Sequence, residues 1–207
     1  MKIVAFSDAH WHFNKVELPA GDILIYAGDW CYGEDLKNTI AFASYLEKQP
    51  HKYKIVVPGN HDRLAQKNPT MVQNVLSEVG AKLLIDASCI IHGIKIFGTP
   101  WTPLFGNWAF MEEDDVLFLK WKRIPKDTDI LVTHGPAFGI LDRVPEVGSV
   151  GSKTLETSII SKKPKIHICG HIHSGYGKME SNYTQFYNVS VCDNDYRLVN
   201  NPTEIEL

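Results

Sequence analysis

The stretch Lys54-Ile55-Val56-Val57-Pro58-Gly59-Asn60-His61-Asp62 passes from a short apolar run into a glycine, an amide, an imidazole and a carboxylate. Four other places in the chain do the same. Lys2–Phe6 precedes Asp8-Ala9-His10, and Asp22–Tyr26 precedes Gly28-Asp29. Asp129–Val132 precedes Thr133-His134-Gly135, and Lys165–Cys169 precedes Gly170-His171-Ile172-His173. Each run reads as a strand. In a sheet covered by helices, ligand-binding residues collect beyond the carboxyl ends of the strands. A sheet would therefore gather Asp8, His10, Asp29, Asn60, His134, His171 and His173, which are scattered along the chain. Two carboxylates, an amide oxygen and four imidazoles make a donor set for two metal ions.

The order D-x-H, G-D, G-N-H-D, H-G, G-H-x-H resembles the calcineurin-like metallophosphoesterases. Gly98-Thr99-Pro100-Trp101, His134-Gly135-Pro136 through Leu141-Asp142, and Gly170–Gly177 resemble its small metallophosphoesterase-domain subgroup of phosphodiesterases. The resemblance implies a four-layer α/β/β/α sandwich, two mixed sheets flanked by helices, over one domain spanning 1–207. It assigns Asp8, His10, Asp29 and His173 to one cation and Asp29, Asn60, His134 and His171 to the other, with Asp29 bridging. The ions are divalent, manganese first, with iron, zinc or cobalt also suited to such N/O donors. Two cations about 3.5–4 Å apart activate a water and clamp the attacking and leaving oxygens. The implied reaction is in-line attack of a metal-bridging hydroxide on a phosphate ester.

His61 follows a ligand without being one, which suits it to protonate the leaving oxygen, and Asp62 beside it is expected to orient its ring. Asn60, His61 and His134 are also candidate substrate contacts. Trp101 is a candidate wall for a nucleobase, Arg143 for a phosphate, and His12 for substrate or solvent. Five of the nine histidines occupy motif positions; His51, His92 and His167 are read as turn, edge or packing residues.

The remaining sequence narrows the function. Of 207 residues 44% are hydrophobic and 22% charged, with a net charge of −3, so nothing suggests binding of extended nucleic acid. Lys162-Lys163-Pro164-Lys165 reads as a solvated helix end. No apolar run approaches the ~20 residues of a membrane span. The four cysteines lack a C-x-x-C pair and the chain opens directly on a strand, which points to the cytoplasm. The expected partner is a small phosphate ester, most simply a small or cyclic nucleotide. A monoesterase, a nuclease and a non-catalytic protein-binding scaffold are the alternatives; the oligomeric state is left open.

Helices are expected near Glu34–Lys48, Pro69–Val79, Glu112–Arg123 and Lys153–Ser161. The third is expected to pack through Val116 and Leu119, its four leading acids answering the helix dipole. Lys82–Phe97 reads as a three-strand meander, and Thr184–Val191 as the last strand.

Overall fold

A computed structural model describes residues Met1–Leu207. A five-stranded and a six-stranded sheet are built from β1 Lys2–Phe6, β2 Ile23–Ala27, β3 Tyr53–Val57, β4 Ala81–Leu83, β5 Ala87–Ile91, β6 Ile94–Thr99, β7 Ile130–Thr133, β8 Ile166–Cys169, β9 Gly177–Glu180, β10 Gln185–Asn188 and β11 Thr203–Glu206. The first sheet has the order β11-β1-β2-β3-β4, parallel except for β11. The second has the order β9-β10-β8-β7-β6-β5, with antiparallel pairs at both edges. The helices are α1 Leu36–Glu47, α2 Arg63–Lys67, α3 Pro69–Glu78, α4 Asp114–Trp121 and α5 Lys153–Lys162.

Side-chain alternation along the strands creates the four layers. Ile3 and Ala5 of β1, Ile23 and Ile25 of β2 and Ile55 of β3 face the second sheet, where they meet Ile96, Ile130, Val132 and Ile168. The intervening Val4, Phe6, Leu24, Tyr26 and Val56 face outward onto Phe42 and Leu46 of α1 and Val72 and Leu76 of α3. On the far side, Phe97, Leu131 and Phe186 pack under Leu117 and Trp121 of α4 and Leu155 and Ile159 of α5. Both faces of each sheet are thus covered, which explains why the strands read as continuous apolar runs. Three of the five helix starts carry a side-chain cap. Asp35 accepts from Lys37 N at 2.9 Å, Asn68 from Met71 N at 3.1 Å, and Ser152 from Leu155 N at 2.9 Å.

Three local expectations are corrected. Lys82–Phe97 is not a meander: β4 pairs with β3 in the first sheet, and only β5 and β6 form a hairpin in the second. The chain changes sheets between them, a step that hydropathy does not mark. In α4 the inward residues are Leu117 and Trp121, while Val116 and Leu119 are exposed. The helix starts at Asp114, whose carboxylate holds Ser152 Oγ and Thr154 N and so fixes which face turns inward. Strands β9 and β11 and helix α2 were not expected; β9 and β11 are short edge strands with little apolar signal.

Candidate metal centre

The parallel strands of both sheets end at one edge, and there the sheets touch. Ser7 N donates to Val189 O at 3.0 Å and Val191 N returns a bond to Ser7 O at 3.0 Å, joining the end of β1 to the chain beyond β10. Asp8, His10, Asp29 and His171 all take left-handed backbone conformations, with φ of 53°, 47°, 65° and 68°. Such conformations are uncommon outside glycine and collect at functional sites. The motif glycines permit the close approach. A Cβ on Gly28, itself at φ 106°, would collide with His134 Nδ1, and one on Gly59 would collide with Asp29 Oδ1.

All seven expected ligands meet at this edge. Ligand atoms of Asp8, His10 and His173 lie within 4.8 Å of one another, as do those of Asp8, Asp29 and His134. Asn60 Oδ1 lies 2.9 Å from His134 Nε2, and the His171 ring is 4.9 Å from that of His134.

The hydrogen bonds give these groups a common character. His134 Nδ1 donates to Ala27 O at 2.9 Å, which turns Nε2 toward the centre. Nε2 lies 2.9 Å from Asn60 Oδ1 and 3.4 Å from Asp29 Oδ2, where it carries a proton or a cation. His173 Nδ1 donates to Asp193 O at 2.8 Å, turning its Nε2 lone pair toward His10 Nε2 at 3.5 Å and Asp8 Oδ1 at 3.8 Å. Asp8 Oδ2 accepts from Ser7 Oγ, Ser190 Oγ and His171 N, while its buried Oδ1 has no partner. A buried convergence of carboxylate oxygens and ring nitrogens, with Asp8 Oδ1 left unpartnered, is costly unless positive charge lies among them.

Burial holds His10 down to about 4 and His171 to about 3, so both rings are neutral and free to coordinate. Burial also works against a charged His134, but the adjacent Asp29 carboxylate outweighs it and raises the ring to about 9. The same opposition leaves Asp29 far below the usual carboxylate range, with burial overcome by His134, His61 and His10. The centre therefore demands positive charge, and its N/O donors fit two divalent cations of the borderline class.

His61 points its Nε2 toward Asp29 Oδ2 at 3.8 Å, and its ring is packed between Tyr32 at 4.2 Å and Trp108 at 4.4 Å. Asp62 does not orient it. The Asp62 oxygens accept from Gly59 N at 2.7 Å, Asp29 N at 2.8 Å, Trp30 N at 3.1 Å and Cys31 N at 3.2 Å, so this residue clamps the β2 and β3 turns together. His61 Nδ1 has no partner.

The centre opens into a cleft of 280 Å³ lined by Asp29, Tyr32, Asn60, His61, Phe105, Trp108, His171, His173, Asn194 and Tyr196. A larger cleft of 740 Å³ lies between α1 and the turn His10–Lys15, and none of the seven ligands lines it.

Trp101, Arg143 and His12 do not line the centre's cleft. The Trp101 indole donates to Asp86 at 3.1 and 3.2 Å, carries the Lys120 ammonium 3.6 Å above its ring and meets Phe110 edge-on, so it is a packing residue. Arg143 is exposed in a short strand pair with Gly148–Ser149, and His12 packs beside Trp11. His134 is fully buried, which removes it as a direct substrate contact outside the metal centre.

The aromatic lining comes from Tyr32, Phe105, Trp108 and Tyr196. In the sequence Phe105 and Trp108 stand near Trp101, and of these three Trp101 is the expected wall. Ala109 N donates to Asn60 O at 3.0 Å and ties the Trp108 loop to the centre, a contact without sequence signature.

Comparison with known proteins agrees with this geometry. The family model for calcineurin-like phosphoesterases matches residues 1–175. The chain belongs to that family. Metallophosphoesterase domain-containing protein 1 of Homo sapiens is 34% identical over the whole of this chain and 71% of its own length. A UPF0046 protein of Caenorhabditis elegans is 30% identical over 98% of this chain and 73% of its own. The crystal structure of TT1561 of Thermus thermophilus aligns with a TM-score of 0.66 at 14% identity, covering 90% of this chain and 88% of the other, and shares the fold. The phosphoesterase family implies a phosphoric ester hydrolase with a small-molecule substrate. No helix is long and apolar enough to cross a membrane.

Proposed function

We propose that this phosphoesterase is a dinuclear phosphodiesterase of small organic phosphates, with nucleotides, cyclic ones included, as the favoured class. The convergence of carboxylate oxygens and ring nitrogens around the buried, unpartnered Asp8 Oδ1 carries the reading. Asp8, His10, Asp29 and His173 would hold one cation, and Asp29, Asn60, His134 and His171 the other. Two such cations supply an activated water and offset charge on the phosphoryl oxygens. Asp29 Oδ1 accepts from His61 N at 2.8 Å, which fixes the carboxylate that both cations would share. His61 donates a proton to the leaving oxygen, and the packing of its ring between Tyr32 and Trp108 keeps its Nε2 directed at the centre.

No lysine or arginine lines the cleft, so a monoester dianion meets no lysine or arginine charge there to offset its second negative charge. A diester carries one charge fewer and offers two substituents to the aromatic lining. A cleft of 280 Å³ suits a small molecule and not a nucleic-acid backbone, which depends on clustered cations. Retention of every ligand and of His61 argues against a non-catalytic scaffold. The four unpaired cysteines support a reducing, cytoplasmic setting.

The test is a substrate panel for the manganese-loaded protein: cyclic nucleotides, bis-nitrophenyl phosphate and simple monoesters. Faster turnover of diesters is expected. Faster turnover of monoesters would overturn the diester assignment, and no turnover at metal saturation would favour the scaffold.

A further inference from the structure

The loop between Cys192 and Leu198, which pair across an antiparallel bridge, lies beyond the residues matched by the family model. It is tightly built. Asp193 accepts from Asp195 N at 2.9 Å, Arg197 N at 2.9 Å and Arg197 Nε at 2.8 Å. The Asp193 carbonyl accepts twice, from Tyr196 N at 2.9 Å and from Nδ1 of the ligand His173 at 2.8 Å. One oxygen thus fixes both a metal ligand and the backbone of Tyr196. The Tyr196 ring sits 4.8 Å from His10, 5.5 Å from His173 and 6.4 Å from Trp11, on which it stacks. It is still 37% exposed, and together with Asn194 it lines the cleft of the metal centre. In the same cleft, the Phe105 ring lies 5.4 Å from His171 and is 62% exposed. Tyr196 holds φ at 60°, a conformation that asparagine adopts more readily than tyrosine. A bulky aromatic is thus kept in a strained conformation beside the cation site, packed on one side and open to the cleft on the other.

We propose that Tyr196 is a specificity-determining residue: its ring, backed by Trp11 and fixed through the Asp193 carbonyl, stacks on a flat ring substituent of the phosphate ester. This rests on the reading of the centre as a site for phosphate diesters. The ligand class is a diester bearing at least one aromatic ring or nucleobase. Stacking of this kind discriminates by roughly 5- to 100-fold in affinity.

The test measures binding instead of turnover, by titration calorimetry of the manganese-loaded protein with diphenyl phosphate and dimethyl phosphate. The unaltered protein should bind the diphenyl ester more tightly by roughly 5- to 100-fold. Tyr196→Asn suits the left-handed backbone and so preserves the loop; it should erase most of that preference and leave dimethyl phosphate affinity and metal content unchanged. Tyr196→Phe should retain the preference. An unaltered protein that binds both esters alike, a Tyr196→Asn variant that keeps the preference, or a variant that loses affinity for both together with a metal would each overturn the proposal. Ring-selective binding with no hydrolysis of any ester would leave the proposal standing and remove the hydrolase reading instead.

Discussion

The two sheets contribute unequally to the candidate metal centre. The first sheet delivers Asp8, Asp29 and Asn60, so it supplies the oxygen donors, together with His10 from the turn after β1. The second supplies only imidazoles, His134, His171 and His173. Their turns are braced in opposite senses. On the first sheet a carboxylate, Asp62, gathers four backbone N–H groups. On the second an amide, Asn188, donates Nδ2 to Ile172 O at 2.9 Å, Leu141 O at 3.1 Å and Gly170 O at 3.4 Å, and accepts from Ser190 N at 3.1 Å. Turns that aim N–H groups inward are closed by an anion, and turns that aim carbonyls inward need a donor. The sign of the bracing group follows from which backbone atoms the turn leaves unsatisfied.

The largest effect tests the asymmetry of the ligands. Asp29→Ala should abolish hydrolysis and weaken both metals, since only the shared carboxylate meets both ligand sets. Elemental analysis that finds one metal fully retained would show that the first sheet does not supply a common ligand.

His61→Ala should lower kcat by about 10²–10⁴-fold for a poor leaving group, the usual contribution of a general acid, with metal content preserved. The loss should shrink for nitrophenyl esters, whose leaving group barely needs a proton. Equal losses on both substrates would refute the acid role.

The bracing groups can be exchanged in sign. Asn188→Asp would face a carboxylate with three carbonyls and should cost about 3–5 kcal/mol, as for a buried uncompensated charge. Asp62→Asn keeps one acceptor oxygen and should cost about 1–3 kcal/mol. Urea unfolding reads both; a larger loss for Asp62→Asn would break the comparison of the two turns.

The smallest effect separates packing from pocket. Trp101→Ala should lower stability by about 1–3 kcal/mol with little change in KM, because its ring is held by Asp86, Lys120 and Phe110. Trp108→Ala should change kcat and KM through His61, which it touches. A Trp101→Ala variant with raised KM and unchanged unfolding midpoint would return Trp101 to the substrate wall.

Most of the fold was legible because strands covered on both faces leave uninterrupted apolar runs, and five of them end in recognisable ligand motifs. Edge strands such as β9 and β11, half in water, carry no such signal. The sheet change after Leu83 was hidden because short strands read alike whichever sheet they join. Asp62 misled because adjacency to His61 says nothing of direction: in the turn after Gly59 its carboxylate points back toward Asp29.

The sequence by itself supplied the candidate ligands and the apolar strands, because donor chemistry and apolar periodicity are local properties of the chain; the family and the layered architecture came through the resemblance carried by the order of its motifs. Only the tertiary structure decided which side chains share the cleft. Trp101 was turned away, and Tyr32, Trp108 and Tyr196 were turned in, by contacts between segments far apart in the chain: Asp86 with Trp101, Asn60 with Ala109, and His173 with Asp193. Such contacts depend on where strand ends meet in space, and no short window of residues encodes that.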